Sequence, residues 1–310
     1  MKKKIVYMGT PHYAEEILRT LIEADDMDVG LVLTQPDRPV GRKKVMTPPP
    51  VKVLAQAHNI SVMQPQRLSD EGVYEAIVNE APDFIVVAAF GQILPHSILD
   101  IAPCINLHAS LLPKYRGASP VQQALLNGDK VTGVTSMLME EGLDTGPMLE
   151  KIVFEIPEDM RLFALMDQLT KDAAILTLST LRDYEKITPV VQNESEASLC
   201  KKIKKQDGLV HMVDAREVYN KYRAFEGWPG IFAQNGTKFD DLSLVEDKLL
   251  HRPFEILAFE EESVIIGCGC GSLEIGTIQP VSKKPMSARA YTIGRGLKIG
   301  DLLLELPSHA

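Results

Sequence analysis

Residues 84–108 read Phe-Ile-Val-Val-Ala-Ala-Phe-Gly-Gln-Ile-Leu-Pro-His-Ser-Ile-Leu-Asp-Ile-Ala-Pro-Cys-Ile-Asn-Leu-His. The stretch opens at 84–89 with an apolar run that contains no polar side chain. Such a run reads as a strand buried on both faces. Residues 95–101 then have the character of a short helix, and 105–108 read as a further strand. Strand, helix and strand in succession, with apolar strands, imply parallel pairing.

The same rhythm extends back to the N-terminus. Residues 4–8 are a short apolar run ending at Gly9, and 14–22 have helical spacing of apolar residues. Residues 29–33 and 60–63 read as strands, 51–57 and 71–79 as helices. The expected fold is therefore α/β: a doubly wound, mostly parallel sheet of Rossmann-like kind, in which ligands bind beyond the carboxyl ends of the strands. Gly9-Thr10-Pro11, after the first strand, lacks the other glycines of a dinucleotide fingerprint and reads as a tight turn into a helix.

Towards the C-terminus, residues 161–184 form one long helical pattern, with Leu162, Leu165, Met166, Leu169, Ala173 and Leu176 on one face. It is expected to cover the sheet. The character then changes. Residues 188–198 are polar and aperiodic, which marks a linker, and Lys201-Lys202-Ile203-Lys204-Lys205 follows. After a helix at 215–225, brief strands are broken by Gly230, Gly236, Gly267, Gly269, Gly271 and Gly276. That pattern suits a small, OB-like β-barrel. The expected division is a catalytic domain at 1–187, a linker at 188–205 and a C-terminal barrel at 206–310.

Bulk properties narrow the class. A chain of 310 residues with 45% hydrophobic content can bury a sizeable core and has room for two domains. No apolar run approaches the ~18–20 residues of a membrane span, and the first apolar run is too short for a secretion signal. A soluble cytoplasmic protein without membrane contact is expected. Cys104, Cys200, Cys268 and Cys270 show no disulfide framework, which fits a reducing compartment. Cys268-Gly-Cys270 has no second pair or nearby His to complete a tetrahedral set, so it is taken as structural and no metal is expected. The net charge of −9 argues against indiscriminate coating of nucleic acid. Residues 201–310 are balanced, with 15 Lys+Arg and 15 Asp+Glu, so the acidity lies in 1–200, where basic residues nevertheless cluster.

The densest polar signal runs from Asn106 to Asp144. Asn106 and His108 end a strand, and alternation places them on one face. Leu143-Asp144-Thr145-Gly146 is a turn-like segment bearing a carboxylate. A carboxylate beside a histidine favours the imidazolium. An imidazolium and an uncharged Asn amide can stabilise negative charge on a carbonyl oxygen, and the carboxylate can accept a proton directly or through water. The set suits acyl transfer from a carbonyl donor to an amine, without an activated Ser or Cys. Taken alone, the Asn106–His108 pair reads better as a satisfied strand end. Cys104 is read as a buried structural thiol.

The run Asn106-Leu107-His108-Ala109-Ser110-Leu111-Leu112-Pro113-Lys114-Tyr115-Arg116-Gly117, followed by Thr132-Gly133-Val134-Thr135 and Leu143-Asp144-Thr145-Gly146, resembles the signature of the folate-dependent formyltransferases. The resemblance covers nearly the whole chain. It implies a catalytic trio of Asn106, His108 and Asp144, and 10-formyltetrahydrofolate as formyl donor. It also implies a folate site lined by Ser110, Leu111, Leu112 and Pro113, with Phe90, Gly91, Gln92, Ile93 and Leu94 holding the pterin largely through backbone groups. The residues agree, since 90–94 follow the apolar strand at its carboxyl end, and a pterin needs backbone donors and acceptors beside an apolar slot.

Further segments resemble the branch of that superfamily that acts on methionyl-tRNA. Residues 34–44, Thr-Gln-Pro-Asp-Arg-Pro-Val-Gly-Arg-Lys-Lys, are similar to its insertion loop. Chain length and Arg223-Ala224-Phe225 with Trp228-Pro229-Gly230 are similar to its C-terminal domain. Pro39, Pro48, Pro49 and Pro50 are expected to keep the loop at 36–50 free of regular structure. The resemblance implies that Arg38, Arg42, Lys43 and Lys44 meet phosphates of the initiator tRNA acceptor stem, with Arg42 beside the terminal bases. Lys201, Lys202, Lys204 and Lys205 would extend a basic stripe between the domains. The implied protein is a monomer that formylates the free α-amine of methionine on initiator tRNA. Two rivals are a sugar-nucleotide formyltransferase using the same donor, which needs no long basic insertion, and an RNA-binding module that keeps folate recognition without catalysis.

Overall fold

The computed structural model describes residues 1–41 and 43–304. In chain order the elements are β1 (Lys3–Gly9), α1 (His12–Glu23), β2 (Met27–Leu33), β3 (Arg38–Val40), β4 (Val45–Thr47), α2 (Pro50–Ala57), β5 (Ser61–Met63), α3 (Val73–Glu80), β6 (Phe84–Ala88), α4 (His96–Leu99), β7 (Cys104–His108), β8 (Arg116–Gly117), α5 (Pro120–Leu126), β9 (Val131–Leu138), β10 (Met148–Glu155), α6 (Leu162–Asp183), β11 (Leu199–Cys200), α7 (Ala215–Ala224), β12 (Ile231–Phe232), β13 (Lys238–Glu246), β14 (Ile256–Phe259), β15 (Val264–Gly267), β16 (Ser272–Gln279), β17 (Met286–Ser287) and α8 (Ala288–Ile293). Two compact units result. One holds Met1–Val121, Lys130–Ile156 and Ala164–Lys201; the other holds Gln122–Asp129, Pro157–Phe163 and the chain from Lys202 onward. No helix among the described residues is long and apolar enough to cross a membrane.

The first unit is built on a seven-stranded sheet in the order β10-β9-β7-β6-β1-β2-β5. β1 pairs in parallel with β2 and β6, and β2 with β5 and β6 with β7 likewise. Because the central runs of these strands are apolar, alternation divides their side chains between two buried faces. Val6, Met8, Ile85, Val87 and Cys104 enter one core cluster with Leu31, Leu33, Ile77, Phe90, Leu94 and Ile98. Tyr7 faces the other way, and its hydroxyl donates to the Ala14 carbonyl of α1 at 2.6 Å. Each such aliphatic side chain, fully buried, contributes ~1.5–3 kcal/mol.

The chain leaves β1 in one direction to build β2 and β5, then returns to build β6 and β7 on the other side. The switch lies between β1 and β6, so the loops after these strands frame a crevice at their carboxyl ends. Two strands absent from the sequence reading complete the sheet. β9 runs antiparallel to β7, with His108 opposite Thr135 and Asn106 opposite Met137, and β10 runs antiparallel to β9.

Two local expectations are corrected. The loop at 36–50 contains a short antiparallel hairpin, β3–β4, with Pro39 opposite Met46. An isolated two-stranded ribbon has edges that need no N–H from proline, so Pro39 is tolerated. The hairpin base is pinned: Lys52 Nζ meets Asp37 Oδ1 at 2.9 Å, and Gln64 Nε2 donates to Asp37 Oδ1 at 2.7 Å and to the Gln35 carbonyl at 2.8 Å. The stretch expected as a linker is hydrogen-bonded structure over most of its length. Met148 and Val190 form a β-bridge, and β11 pairs in parallel with β8. Residues 188–201 therefore lie within the first unit, and 122–129 and 157–163 lie within the second.

The second unit is a small β domain. Its antiparallel sheet has the order β12-β13-β16-β15-β14, with β17 on β16. Phe239, Leu242, Phe254, Ile256, Val264, Ile266, Leu273, Ile275 and Ile278 are buried. Arg223, on α7, is buried too, and donates to the Glu158 carbonyl at 2.8 Å and to Asn220 Oδ1 at 2.8 Å.

Candidate active site

Asn106 and His108 occupy the carboxyl end of β7, two residues apart and so on one face of the strand. Asp144 reaches them from the turn between β9 and β10. Its Oδ1 accepts from Asn106 Nδ2 at 3.3 Å, its Oδ2 accepts from the Gly117 N–H at 2.8 Å, and Oδ2 lies 3.7 Å from His108 Nδ1. The last distance is an ion-pair separation, longer than a direct hydrogen bond. The other ring nitrogen, Nε2, lies 2.9 Å from the Tyr115 carbonyl. A carbonyl only accepts, so Nε2 carries the proton and Nδ1 is the nitrogen presented to Asp144. The sequence-derived trio is thus brought together.

Three non-glycine residues around this site hold positive φ: Ala89 at 45°, Tyr115 at 60° and Asp144 at 54°. Such conformations cost ~1–3 kcal/mol each and persist where surrounding structure fixes them. At Asp144 the fixing groups are visible. Gln192 Nε2 donates to the carbonyls of Asp144 and Gly146, each at 2.8 Å, and Gln192 Oε1 accepts from Arg116 Nε at 2.9 Å. Arg116 also forms a two-pronged pair with Glu194, at 3.0 and 2.7 Å, and this guanidinium holds the Glu194 carboxyl below the usual carboxylate range. Tyr115 N–H donates to Ser198 Oγ at 2.9 Å, and Arg116 N–H to the Ser198 carbonyl at 2.9 Å. Gly117, at φ 119°, passes so close to Cys200 that a Cβ there would sit 2.4 Å from its carbonyl oxygen.

The expected folate segments are placed at the same end of the sheet. Phe90 and Leu94 bury their side chains in the core. The Phe90 carbonyl accepts from Thr10 Oγ1 at 3.3 Å and Gln35 Nε2 at 3.2 Å. Gln92 uses its amide on the Leu68 N–H and the Pro65 carbonyl. Gly91 and Ile93 are exposed. Among the described residues, no backbone N–H or C=O of residues 91–94 forms a hydrogen bond, so the loop presents main-chain donors and acceptors at the switch point. Of 110–113, Ser110, Leu112 and Pro113 are buried and Leu111 is half-buried. Ser110 Oγ donates to the Lys114 carbonyl at 2.6 Å, and Thr135 Oγ1 bridges the Ser110 carbonyl and the Leu112 N–H.

The basic residues are exposed where described. Arg38 donates to Gln35 Oε1 at 2.9 Å; Lys43 and Lys44 lie between β3 and β4. Arg42 lies outside the described residues. Lys201, Lys202, Lys204 and Lys205 are all exposed. Sequence reasoning passed over Gln192 and Ser198, because a single polar residue in a polar stretch carries no local signal. Arg116, Gly117 and Thr135 stood in the signature segments without a role.

Family models describe the two halves of the chain: "Formyl transferase" matches residues 2–181, and "Formyl transferase, C-terminal domain" matches residues 202–296. A methionyl-tRNA formyltransferase from a Sulfurovum species is 73% identical over 304 residues, 98% of this chain and 100% of that protein. The chain belongs to the methionyl-tRNA formyltransferase family. A family member from a Nitratiruptor species is 53% identical over 300 residues, covering 96% of this formyltransferase and 99% of that one. Solved structures share the fold at low identity. The sugar 3N-formyl transferase WlaRD, with dTDP and 5-N-formyl-THF, aligns with TM-score 0.65 at 18% identity, over 92% of this chain and 99% of that one. HypX from Aquifex aeolicus, in complex with tetrahydrofolic acid, aligns with TM-score 0.63 at 18% identity, over 96% of this chain and 48% of that one.

Proposed function

We propose that this formyltransferase moves the formyl group of 10-formyltetrahydrofolate to the free α-amine of methionine on initiator methionyl-tRNA, with Asn106, His108 and Asp144 as its catalytic trio. The observation that carries the reading is the position of the Asp144 carboxylate, bonded to the Asn106 amide and facing His108 Nδ1 at the carboxyl end of β7. The folate supplies an activated formyl carbon. Asn106 uses one amide hydrogen on Asp144 and has a second for the formyl oxygen. Asp144 opposes the charge of a protonated His108, which stabilises negative charge developing on that oxygen. The same carboxylate accepts the proton shed by the attacking amine, directly or through water. A bond forms between the α-nitrogen and the formyl carbon, the bond from that carbon to N10 breaks, and N10 takes up the proton.

Backbone groups of Gly91, Gln92, Ile93 and Leu94 meet the pterin edge, and Ser110, Leu111, Leu112 and Pro113 shape the neighbouring wall. Arg38, Arg42, Lys43 and Lys44 engage acceptor-stem phosphates, and Lys201, Lys202, Lys204 and Lys205 meet tRNA phosphates as well. The enzyme acts as a cytoplasmic monomer, and this chemistry uses no metal. Incubation with 10-formyltetrahydrofolate and charged initiator tRNA tests the reading. Formylmethionine released from the tRNA supports it; formylation of an amino-sugar nucleotide in place of tRNA overturns it.

A further inference from the structure

We infer that Gln192 is a positioning residue for Asp144, closing a ring of hydrogen bonds that fixes both the main chain and the carboxylate of that residue. Starting at Asp144, its Oδ2 accepts from the Gly117 N–H, and Gly117 is bonded in sequence to Arg116. Arg116 Nε donates to Gln192 Oε1, and Gln192 Nε2 returns to the Asp144 carbonyl, with its second hydrogen on the Gly146 carbonyl. The amide has only one workable orientation, because its nitrogen faces two carbonyls and its oxygen faces a guanidinium. Both Gln192 and Arg116 are almost fully buried, at 5% and 4% exposure, so water cannot replace a lost partner without cost.

Asp144 needs such a fixture. Its φ of 54° lies in a region that L-residues seldom occupy, so an unsupported turn would relax and carry the carboxylate away from Asn106 and His108. Gln192 makes no hydrogen bond with Asn106 or His108 and acts only through Asp144. The inference rests on Asp144 being catalytic.

The test compares Gln192→Glu and Gln192→Met with the parent. Both substitutions approximate the side-chain volume and remove the two donors. The kcat should fall about 10²-fold, the loss produced by misplacing a reacting group by about 1 Å. The KM for either substrate should not change, so the loss falls on kcat alone. Either variant, folded and showing the parent's kcat, overturns the inference. So does failure of both to fold, which would make Gln192 a determinant of the fold alone. A parent that makes no formylmethionyl-tRNA refutes the functional reading instead. The variant-to-parent ratio is then read on an amino-sugar nucleotide with the same donor, because the ring holds Asp144 whatever the acceptor.

Discussion

His108 gives its Nε2 hydrogen to the main-chain carbonyl of Tyr115 at 2.9 Å, which leaves Nδ1 turned towards Asp144. The tautomer is thereby set by a peptide group that cannot be mutated away, and the ring is held by its far side. In the proposed mechanism, replacing His108 by Ala removes the group that stabilises the formyl oxygen. A fall in kcat of about 10²–10³-fold is expected, with an unchanged circular-dichroism melt. A His108→Ala enzyme retaining about a tenth of parental turnover contradicts the assignment.

Asp144→Asn is the more incisive change at the neighbouring position. Asp144 accepts from both Gly117 N–H and Asn106 Nδ2, and an asparagine offers one acceptor and one donor group. One of the two bonds must then become a clash of hydrogens. Single-turnover formyl transfer should slow by about 10²–10⁴-fold, and near-parental rates would show that no proton passes through this carboxylate.

Gly117 joins the site to the backbone that supports it. A Cβ at this position meets the Cys200 carbonyl oxygen at 2.4 Å, and φ is 119°. Gly117→Ala should therefore cost about 1–3 kcal/mol or more in urea denaturation. It should also displace the N–H that serves Asp144, so that activity falls further than the folded fraction does. A variant as stable and active as the parent rules out both effects.

The hairpin makes a separate prediction about the acceptor. The triple change Arg38→Ala, Lys43→Ala and Lys44→Ala should raise the KM for tRNA while leaving that for the folate unaltered. The dependence of log affinity on log salt should become shallower by about 0.9 for each phosphate that is no longer neutralised. An unchanged salt slope removes the hairpin from the tRNA interface.

Burial pushes the thiols of Cys104 and Cys268 up to about 12, from an ordinary value of 9.0. Both remain neutral in the folded protein while an unfolded chain ionises. Their contribution to stability is present below pH 9.0 and is lost as the pH climbs from there towards about 12. In the native enzyme at about pH 8, iodoacetamide should label half-exposed Cys270 ahead of either buried thiol, as mass spectrometry of the alkylated peptides would reveal. Equal labelling of Cys104 and Cys270 contradicts the burial.

The alternation of apolar strands and helices up to His108 was legible because each element carries its own periodicity. Asn106 and His108 were legible for the same reason, as polar residues ending an apolar strand. β9 escaped notice because Gly133 and a mixture of threonine, serine and aliphatic residues blur its alternation. The segment around Gln192 and Ser198 escaped for a deeper reason. Its polar residues serve backbone groups more than forty residues away in sequence, such as the Asp144 carbonyl and the Tyr115 N–H. A partner at that distance leaves no trace in local composition, so a structural belt and a loose tether look alike.

That belt, 188–201, also sets an order of events during synthesis. Asn106, His108 and Asp144 all leave the ribosome before Gln192, Ser198 and Cys200 do. A nascent chain ended at 187 would contain the whole trio, the full seven-stranded sheet and all of α6, yet neither the Gln192 amide that holds the Asp144 turn nor the groups that support the Tyr115–Gly117 backbone. The supports of the Asp144 turn arrive with the last fourteen residues of the first unit, late enough that the sheet they brace has already been translated in full.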